Sequence, residues 1–148
     1  MLYSFELMIK FEKIPAKILL NIQTAKDVLD QDAKVVFAYL FGGLARGRIM
    51  PLSDVDIAVY LNNMDDLPQY KLDLFDRLTD ALGTCEVDLV VLNKASISLV
   101  GRILAGKQVI VDKEPYQRHI YESVALREFF DFRVKEDNLF SSRYNLGR

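Results

Sequence analysis

The sequence predicts a mixed α/β (α+β) domain in which about four strands form one sheet flanked by helices, with a helix at the carboxyl end. Short apolar runs rich in β-branched and aromatic residues alternate with segments whose apolar residues recur every three or four positions. These are the periods of a buried strand and of an amphipathic helix. Glycine and proline are sparse, at 7 and 4 of 148 residues, and no linker or repeat divides the chain, so one domain spanning 1–148 is expected.

The first half of the chain is predicted to alternate helix and strand. Residues 14–29 are expected to be helical because their apolar positions recur at steps of four, three and four. The run VVFAYLF, residues 35–41, predicts a buried strand that stops at a glycine pair. After a short turn or helix and a loop, DVDIAVYL over 54–61 alternates with the period of two that sends successive side chains to opposite sheet faces. Aspartates occupy one of those faces.

The second half repeats this alternation. Its first segment has apolar residues at helical spacing and ends at Gly83, a residue type that usually terminates helices. Its last segment begins at Pro115, a residue type suited to the first turn of a helix. The predicted elements are a helix over 65–82, a strand over 86–92, a helix over 95–105, a short strand over 107–111 and a helix from Pro115 into the 130s or beyond.

Charge and cysteine content exclude several classes of protein. With 19 Lys and Arg against 21 Asp and Glu the formal charge is -2, so no direct binding of nucleic acid or of an anionic membrane is expected. The single cysteine, Cys85, excludes an internal disulfide and a cysteine-built zinc site. Because it precedes a strand, Cys85 is expected to be a small buried hydrophobe.

The same features predict a cytoplasmic protein. The first fifteen residues carry Glu6, Lys10, Glu12 and Lys13 where a signal peptide would need an apolar core. No stretch reaches the roughly 18 uncharged apolar residues of a membrane-spanning helix. A protein that is neither secreted nor membrane-spanning, in a reducing compartment, is the expectation.

The carboxyl-terminal segment, residues 113–148, is predicted to be a helix with a polar, fraying tail, and its apolar arc is unusually broad. Two stripes lie about 100° apart. They consist of Tyr116, Ile120 and Val124, and of Tyr121, Ala125, Phe129 and Phe132. Either the domain core uses the whole arc, or part of it is an interface for a partner protein, since it would otherwise form an exposed hydrophobic patch.

Three carboxylates on predicted strands are the candidate chemical groups. Aspartate is a poor strand former, so Asp54, Asp56 and Asp88 each need a reason for their position. Asp54 and Asp56 are two apart and share a face of their strand. If the strand over 86–92 lies beside that strand, Asp88 adds a third carboxylate. Such an all-oxygen site suits Mg²⁺, which prefers carboxylates, water and substrate phosphates.

A plainer interpretation is that Asp54 and Asp56 lie on a solvated sheet face and pair with Arg46 or Arg48. The upstream sequence FGGLARG favours the site instead. A strand, two glycines and helix-compatible residues together expose backbone N–H groups and the positive end of a helix dipole to an anion. Coupled to D-x-D downstream, the glycine pair predicts a phosphate pocket.

The motifs also carry a resemblance to a known family. LFGGLARGRIMPLSDVDIAVYL over 40–61, followed by EVDLVVLN over 86–93, resembles the nucleotidyltransferase superfamily pattern of a Gly-Ser or Gly-Gly pair, D-x-D and an aspartate on a later strand. The short chain, the ARG after the glycines and the VDLVVLNKA block are similar in particular to MNT-type minimal nucleotidyltransferase domains. Such domains are often encoded beside a HEPN-domain ribonuclease and act as its antitoxin. A nucleotidyltransferase-like fold is therefore expected.

The resemblance implies a role for each matching residue. Asp54 and Asp56 would bind two Mg²⁺ ions that bridge the phosphates of the substrate ATP. Asp88 would complete the second metal site and take the proton from the attacking hydroxyl. Gly42 and Gly43 would hold the terminal phosphates through backbone N–H groups, with attack at the α-phosphorus releasing pyrophosphate.

Two positions qualify this assignment. Many family members have serine where this chain has Gly43, which keeps the backbone donor and lacks the hydroxyl. The loss of one hydrogen bond costs about 0.5 to 1.5 kcal/mol, which weakens nucleotide binding without abolishing it. Arg46 is weighed equally as a phosphate ligand and as the partner of a carboxylate.

Three functions follow from these expectations. The first is an Mg²⁺-dependent enzyme that transfers AMP from ATP to a hydroxyl of a partner protein, as an antitoxin that neutralises a HEPN toxin in a hetero-oligomer. The second is a non-catalytic antitoxin that masks the toxin by direct contact, which the broad apolar helix and Gly43 favour. The third is a nucleotidyltransferase acting on a small molecule, although the chain has little beyond the minimal fold to hold one.

Overall fold

The computed structural model describes residues 16–45 and 55–145. Arg46, Arg48 and Asp54 lie outside these residues, so the predictions about them remain predictions. Within the described residues the expected alternation of helices and strands is confirmed.

The helices and strands fall close to their predicted bounds. The helices are α1 (Ala16–Gln31), α2 (Gly42–Ala45), α3 (Leu67–Leu82), α4 (Ile97–Ala105) and α5 (Pro115–Asn145). The strands are β1 (Val35–Phe41), β2 (Val55–Leu61), β3 (Val87–Val91) and β4 (Gln108–Asp112). A 3₁₀ turn over Leu92–Lys94 joins β3 to the loop before α4.

The four strands form one mixed sheet in the order β3-β2-β1-β4. β1 pairs antiparallel with both β2 and β4, whereas β2 and β3 run parallel. Because β1 is antiparallel to β2 and β3, its carboxyl end lies on the same side of the sheet as the amino ends of β2 and β3. The chain therefore brings the glycine pair after β1 to the starts of the two strands that carry the aspartates.

Helices cover both faces of the sheet. On one face α1 and α3 bury Leu29, Leu74 and Leu78 against Ile57 and its neighbours on the strands. On the other face α4 and α5 form a second core around a set of buried aromatic and aliphatic side chains, which are Phe37, Tyr39, Leu92, Val100, Ile103 and Ala125. The side chains of Asp56 and Asp88 belong to this second face, since they alternate with Ile57 and Leu89 of the first.

Close contact between α4 and α5 depends on a glycine. A Cβ atom at Gly101 of α4 would collide with the ring of Phe129 on α5. The absence of a side chain at Gly101 therefore lets the aromatic ring lie against the backbone of α4. Arg133, one turn further along α5, has its guanidinium carbon 5.9 Å from the centroid of the same ring.

A buried ionic cluster fixes the first turns of α5 to the sheet. Glu122, 9% exposed, accepts hydrogen bonds from Arg118 at 2.6 and 3.2 Å and pairs with Lys107 at 3.1 Å. Arg118 also pairs with Asp112 at 3.0 Å, which lies at the end of β4. Hydrogen bonds to both carboxylates raise the pKa of Arg118. The cluster thus joins α5 to the segment that precedes it.

Two expectations about the chain need correction. Cys85 is exposed rather than buried, because it lies in the turn between Gly83 and β3 and not in the strand itself. The carboxyl-terminal helix also continues through Asn145, so the first residues of the predicted fraying tail are helical. With 31 residues, α5 is about 46 Å long.

Candidate nucleotidyl-transfer site

Two of the three predicted aspartates are neighbours across the sheet. The parallel register of β2 and β3 places Asp56 directly beside Asp88. Neighbouring strands are about 4.8 Å apart, and both side chains leave the same face. Asp56 is half-buried, and Asp88 is exposed on the edge strand. The sequence predicted a third carboxylate at the site if the strand that carries Asp88 lay beside the strand that carries Asp56, and the two strands are neighbours.

Gly42 brings the glycine pair against this carboxylate pair. The register pairs Phe41 with Asp56, so the residue that follows β1 lies at the same sheet edge. Gly42 has φ of 75°, in the left-handed region that favours glycine, and a Cβ atom there would collide with Oδ2 of Asp56. Both the backbone conformation and the close approach of Asp56 require glycine at this position.

The remaining predicted site residues divide into two groups. Gly43 is described, is half-buried and lies in the first turn of α2. Asp54 and Arg46 lie outside the described residues. The structure therefore brings Gly42, Gly43, Asp56 and Asp88 to one edge, whereas the metal and phosphate roles proposed for Asp54 and Arg46 rest on the sequence.

The donor set at this edge fits a magnesium-dependent site. Asp56 and Asp88 offer carboxylate oxygens, which are hard ligands of the kind that Mg²⁺ prefers, and the glycine pair offers backbone next to them. Among the residues that the structure describes, no three His, Cys, Asp or Glu side chains form a metal-binding group. Mg²⁺ usually takes further ligands from water and from substrate phosphates, so two protein carboxylates are compatible with its binding.

A cavity that the sequence did not reveal lies on the same sheet face, beyond the carboxylates. Its volume is about 460 Å³, and it is bounded by the end of β2, the 3₁₀ turn, the start of α4 and one side of α5. Tyr60 lies on the same face of β2 as Asp56, two alternations further along the strand. This spacing along β2 was the feature of the sequence that could have indicated Tyr60 as a residue near the site. The lining residues from α5 could be assigned only once the packing of α5 on the sheet was known.

The exposure of the apolar residues of α5 shows how much of its apolar arc the domain core uses. The stripe of Tyr121, Ala125 and Phe129 packs on the domain, and Ala125 is buried. The other stripe lies in solvent, with Tyr116 78%, Ile120 48% and Val124 39% exposed. Further along, every residue from 131 to 143 is exposed, including a group of large apolar side chains, which are Phe132, Val134, Leu139 and Phe140. The core uses only part of the arc.

Comparison with known proteins now gives the class of this fold and site. Residues 23–116 match the model of the family described as polymerase beta, nucleotidyltransferase. The match covers more than half of the chain and includes the glycine pair, D-x-D and Asp88. The chain belongs to this nucleotidyltransferase family, and the predicted nucleotidyltransferase fold is confirmed.

Solved structures with the same fold narrow the comparison. A crystal structure of a toxin-antitoxin with AMP-PNP contains a chain that aligns with TM-score 0.68 and 22% identity, over 82% of this chain and 97% of that one. The toxin-antitoxin MntA-HepT aligns with TM-score 0.64 and 22% identity, over 85% and 98%. The tri-AMPylated Shewanella oneidensis HEPN toxin in complex with MNT antitoxin aligns with TM-score 0.62 and 19% identity, over 84% and 98%. At these identities the likeness concerns the fold.

Two further findings complete the comparison. A search of curated proteins gives no significant match to this sequence. Among the described residues, no helix has the length and apolarity needed to cross a membrane.

Proposed function

We propose that this chain is an Mg²⁺-dependent protein adenylyltransferase that transfers AMP from ATP to a hydroxyl of a HEPN-domain toxin and thereby acts as its antitoxin. The observation that carries the proposal is the carboxylate pair of Asp56 and Asp88, aligned across two parallel strands and approached by Gly42. Aspartate is a poor strand former, so two aspartates side by side on sheet strands next to a left-handed glycine favour a functional site.

Each site residue has a separate role in the proposed transfer of AMP. Asp54 and Asp56 would hold Mg²⁺, which would neutralise the charge of the bound triphosphate. Backbone N–H groups of Gly42 and Gly43 would orient the β- and γ-phosphates, and Arg46 is the residue that we propose as a further phosphate ligand. Most of the catalytic effect then comes from positioning and charge neutralisation.

The transfer itself exchanges one phosphorus–oxygen bond for another. The acceptor hydroxyl oxygen bonds to the α-phosphorus while the bond from that phosphorus to the bridging oxygen breaks, and pyrophosphate leaves. Asp88, exposed at the edge of the sheet, receives the proton of the hydroxyl. Because Asp88 is exposed, an acceptor as large as a protein can reach it from solvent.

The proposed partner follows from the fold likeness and from the uncovered face of α5. Solved complexes of an MNT antitoxin with a HEPN toxin each contain a chain with this fold, and the toxin in one of these complexes is AMPylated. Here Ile120 and Val124 form an apolar stripe that the domain leaves in solvent. A hetero-oligomer with a HEPN protein in the cytoplasm would cover the stripe and place the acceptor near the carboxylates.

The test is transfer of label from ATP labelled on its α-phosphate to a purified HEPN-domain protein, in the presence of Mg²⁺. We expect label on the partner with the wild-type chain and its loss by at least two orders of magnitude with Asp56→Asn, Asp88→Asn or Asp54→Asn. Omission of Mg²⁺ should have the same effect. Mass spectrometry of the labelled partner would then identify the modified hydroxyl.

The matched control is Asp80→Asn, which removes an exposed carboxylate from α3 on the opposite side of the sheet. This variant should transfer AMP as the wild type does. Full transfer by a folded Asp56→Asn variant would contradict the proposed site.

A second candidate function is a masking antitoxin that binds the toxin without modifying it. The exposed stripe on α5 favours this alternative, since it can bind a partner without help from the carboxylates. In that case Asp56→Asn would neutralise the toxin as well as the wild type, and no label would appear on the partner. Label on a small hydroxylated compound, with none on the protein, would instead indicate a small-molecule nucleotidyltransferase.

A further inference from the structure

The cavity beside α5, called here the α5 groove, combines aromatic walls with a carboxylate. Its principal lining residues are Tyr60, Leu92, Ile97, Tyr121, Val124 and Glu128. None of them belongs to the predicted nucleotide site, and the proposed transfer of AMP uses none of them. A volume of about 460 Å³ exceeds what one amino-acid side chain needs, so the groove can take a side chain together with part of its backbone.

The aromatic walls of the groove are held in place from behind. The Tyr60 ring stacks on the buried Phe37 ring with centroids 4.7 Å apart and planes 3° apart. Tyr121 packs against Tyr60 at 5.0 Å and against Phe37 at 5.5 Å. Because Phe37 is fully buried, the two tyrosine rings have a rigid support. They present a preformed π surface on which a cation can bind.

Glu128 supplies a negative charge at the same place. It lies one helical turn after Val124 on α5 and is exposed. Among residues 16–45 and 55–145, no ion pair involves Glu128. Its charge contributes, after burial and Tyr60, to raising the pKa of Tyr121 to about 12, which agrees with its position beside that ring. Glu128 therefore gives the groove a carboxylate with which a positively charged ligand can pair.

The groove continues into the exposed apolar stripe of α5. Val124 lines the groove and also ends the stripe that begins at Tyr116 and includes Ile120. The stripe repeats every four residues over two turns of helix, about 12 Å, which is the repeat that a second helix can match. An apolar strip that ends in an aromatic, acidic groove is complementary to an amphipathic helix with a basic residue at one end.

We infer that this surface docks a helix of the partner protein, with its apolar side chains against Ile120 and Val124 and an arginine inserted in the α5 groove. The inference rests on the proposed function for the partner's identity as a HEPN protein. Arginine is the residue that matches the groove, because its planar guanidinium stacks on Tyr60 or Tyr121 and can form a bidentate hydrogen bond with Glu128. Its apolar stem suits the wall formed by Leu92 and Ile97.

The chemistry of the groove can be measured without the partner. N-acetyl-arginine amide is titrated into the isotope-labelled chain, and the NMR signals of Tyr60, Tyr121 and Ala125 are followed. We expect saturable shifts, with the dissociation constant raised about three- to tenfold when Glu128→Gln removes the charge. Glu136→Gln, which neutralises another exposed glutamate of α5, should leave the constant unchanged.

Two further ligands distinguish arginine from other occupants. N-acetyl-citrulline amide has nearly the same shape without the charge, and equal binding of citrulline and arginine would overturn the inference. ATP is the second ligand, because a purine ring could also stack on Tyr60. Displacement of the arginine probe by ATP in the Asp56→Asn variant would assign the groove to a nucleotide base and would also overturn it.

Binding to the HEPN protein separates this inference from the proposed function. We expect Val124→Glu and Glu128→Gln to weaken the complex by at least tenfold and about fivefold. Asp80→Asn, which changes an exposed residue of α3 on the opposite side of the sheet, should bind as the wild type does. Wild-type binding and AMP transfer with no effect of Val124→Glu or Glu128→Gln would overturn the docking surface and leave the function intact. Failure of the wild type to bind would refute the proposed function, and the arginine titration would still decide the chemistry of the groove.

Discussion

At the scale of single residues, the contact between Gly42 and Asp56 couples backbone conformation to the candidate site. Gly42→Ala would introduce a side chain at φ of 75° and push it into the Asp56 carboxylate. The left-handed conformation alone costs about 1 to 3 kcal/mol. Because the substitution also displaces a carboxylate of the site, we expect AMP transfer to fall at least a hundredfold, measured with α-labelled ATP.

Gly83 offers a matched control for this substitution. It has φ of 70° at the end of α3, so Gly83→Ala carries the same kind of backbone strain. Its nearest neighbour is the side-chain nitrogen of Asn21, at 3.4 Å from where the Cβ would lie. Gly83→Ala should therefore lower the melting temperature and leave transfer intact. Equal loss of transfer in both variants would show that strain, and not contact with Asp56, explains the effect.

Asp32 gives a pH dependence that is independent of the site. Burial raises the pKa of its carboxyl, but hydrogen bonds from Arg77, from the backbone N–H of Lys34 and from Tyr70 outweigh burial, so the pKa is lowered on folding. A depressed pKa stabilises the fold above the ordinary value of about 3.9 and stops doing so as the pH falls through the folded value.

Asp32→Asn should therefore destabilise the fold in a pH-dependent way. At pH 7 we expect a loss of about 1 to 3 kcal/mol in urea unfolding, because several hydrogen bonds to a charged acceptor are weakened. The difference from the wild type should begin to shrink as the pH falls through the ordinary value of about 3.9, and it should be lost once the pH is below the lowered pKa of the folded carboxyl. Asp76→Asn, at an exposed position of α3, should show neither effect.

At the scale of elements, α5 depends on Glu122 for its attachment to the sheet. Glu122→Gln would leave Arg118 and Lys107 with one fewer negative partner in a largely buried cluster. Removal of one partner from a buried ion pair costs about 3 to 5 kcal/mol, so urea unfolding should show a loss of this size. Glu114→Gln, which changes an exposed residue just before α5, should be within about 0.5 kcal/mol of the wild type. Equal stability of Glu122→Gln would mean that the aromatic contacts alone hold the helix.

At the scale of the whole molecule, the distal part of α5 is expected to serve a partner and not the domain. All residues from 131 to 143 are exposed, whereas the ring of Phe129 lies against Gly101 of α4. Ending the chain after Arg133 should change the free energy of unfolding by less than about 1 kcal/mol. It should also raise solubility, because Leu139 and Phe140, 69% and 62% exposed, are removed.

Complex formation gives the second measurement on the shortened chain. If the distal helix contributes to the interface, its removal should weaken binding of the HEPN protein while ATP binding is retained. A large loss of stability on shortening would instead show that the distal helix supports the domain.

The sequence determined most of the fold and the core of the candidate site. The sequence located the four strands and the four longer helices of the described chain, mainly because each side of an element faces one environment, either a core or water. Asp56, Asp88 and the glycine pair were identifiable because aspartates inside strands and paired glycines conflict with local propensity. Such conflicts are visible along the chain itself.

Only the tertiary structure decided how the elements combine. The register that pairs Asp56 with Asp88 depends on which strands become neighbours, and the collision that excludes a side chain at Gly42 depends on β1 ending beside β2. The division of the apolar arc of α5 into a buried and an exposed stripe depends on the angle at which the helix packs. Contacts between residues distant in sequence fix these features, and local periodicity carries no information about such contacts. For the same reason the α5 groove, built from three separate segments, emerged only with the fold.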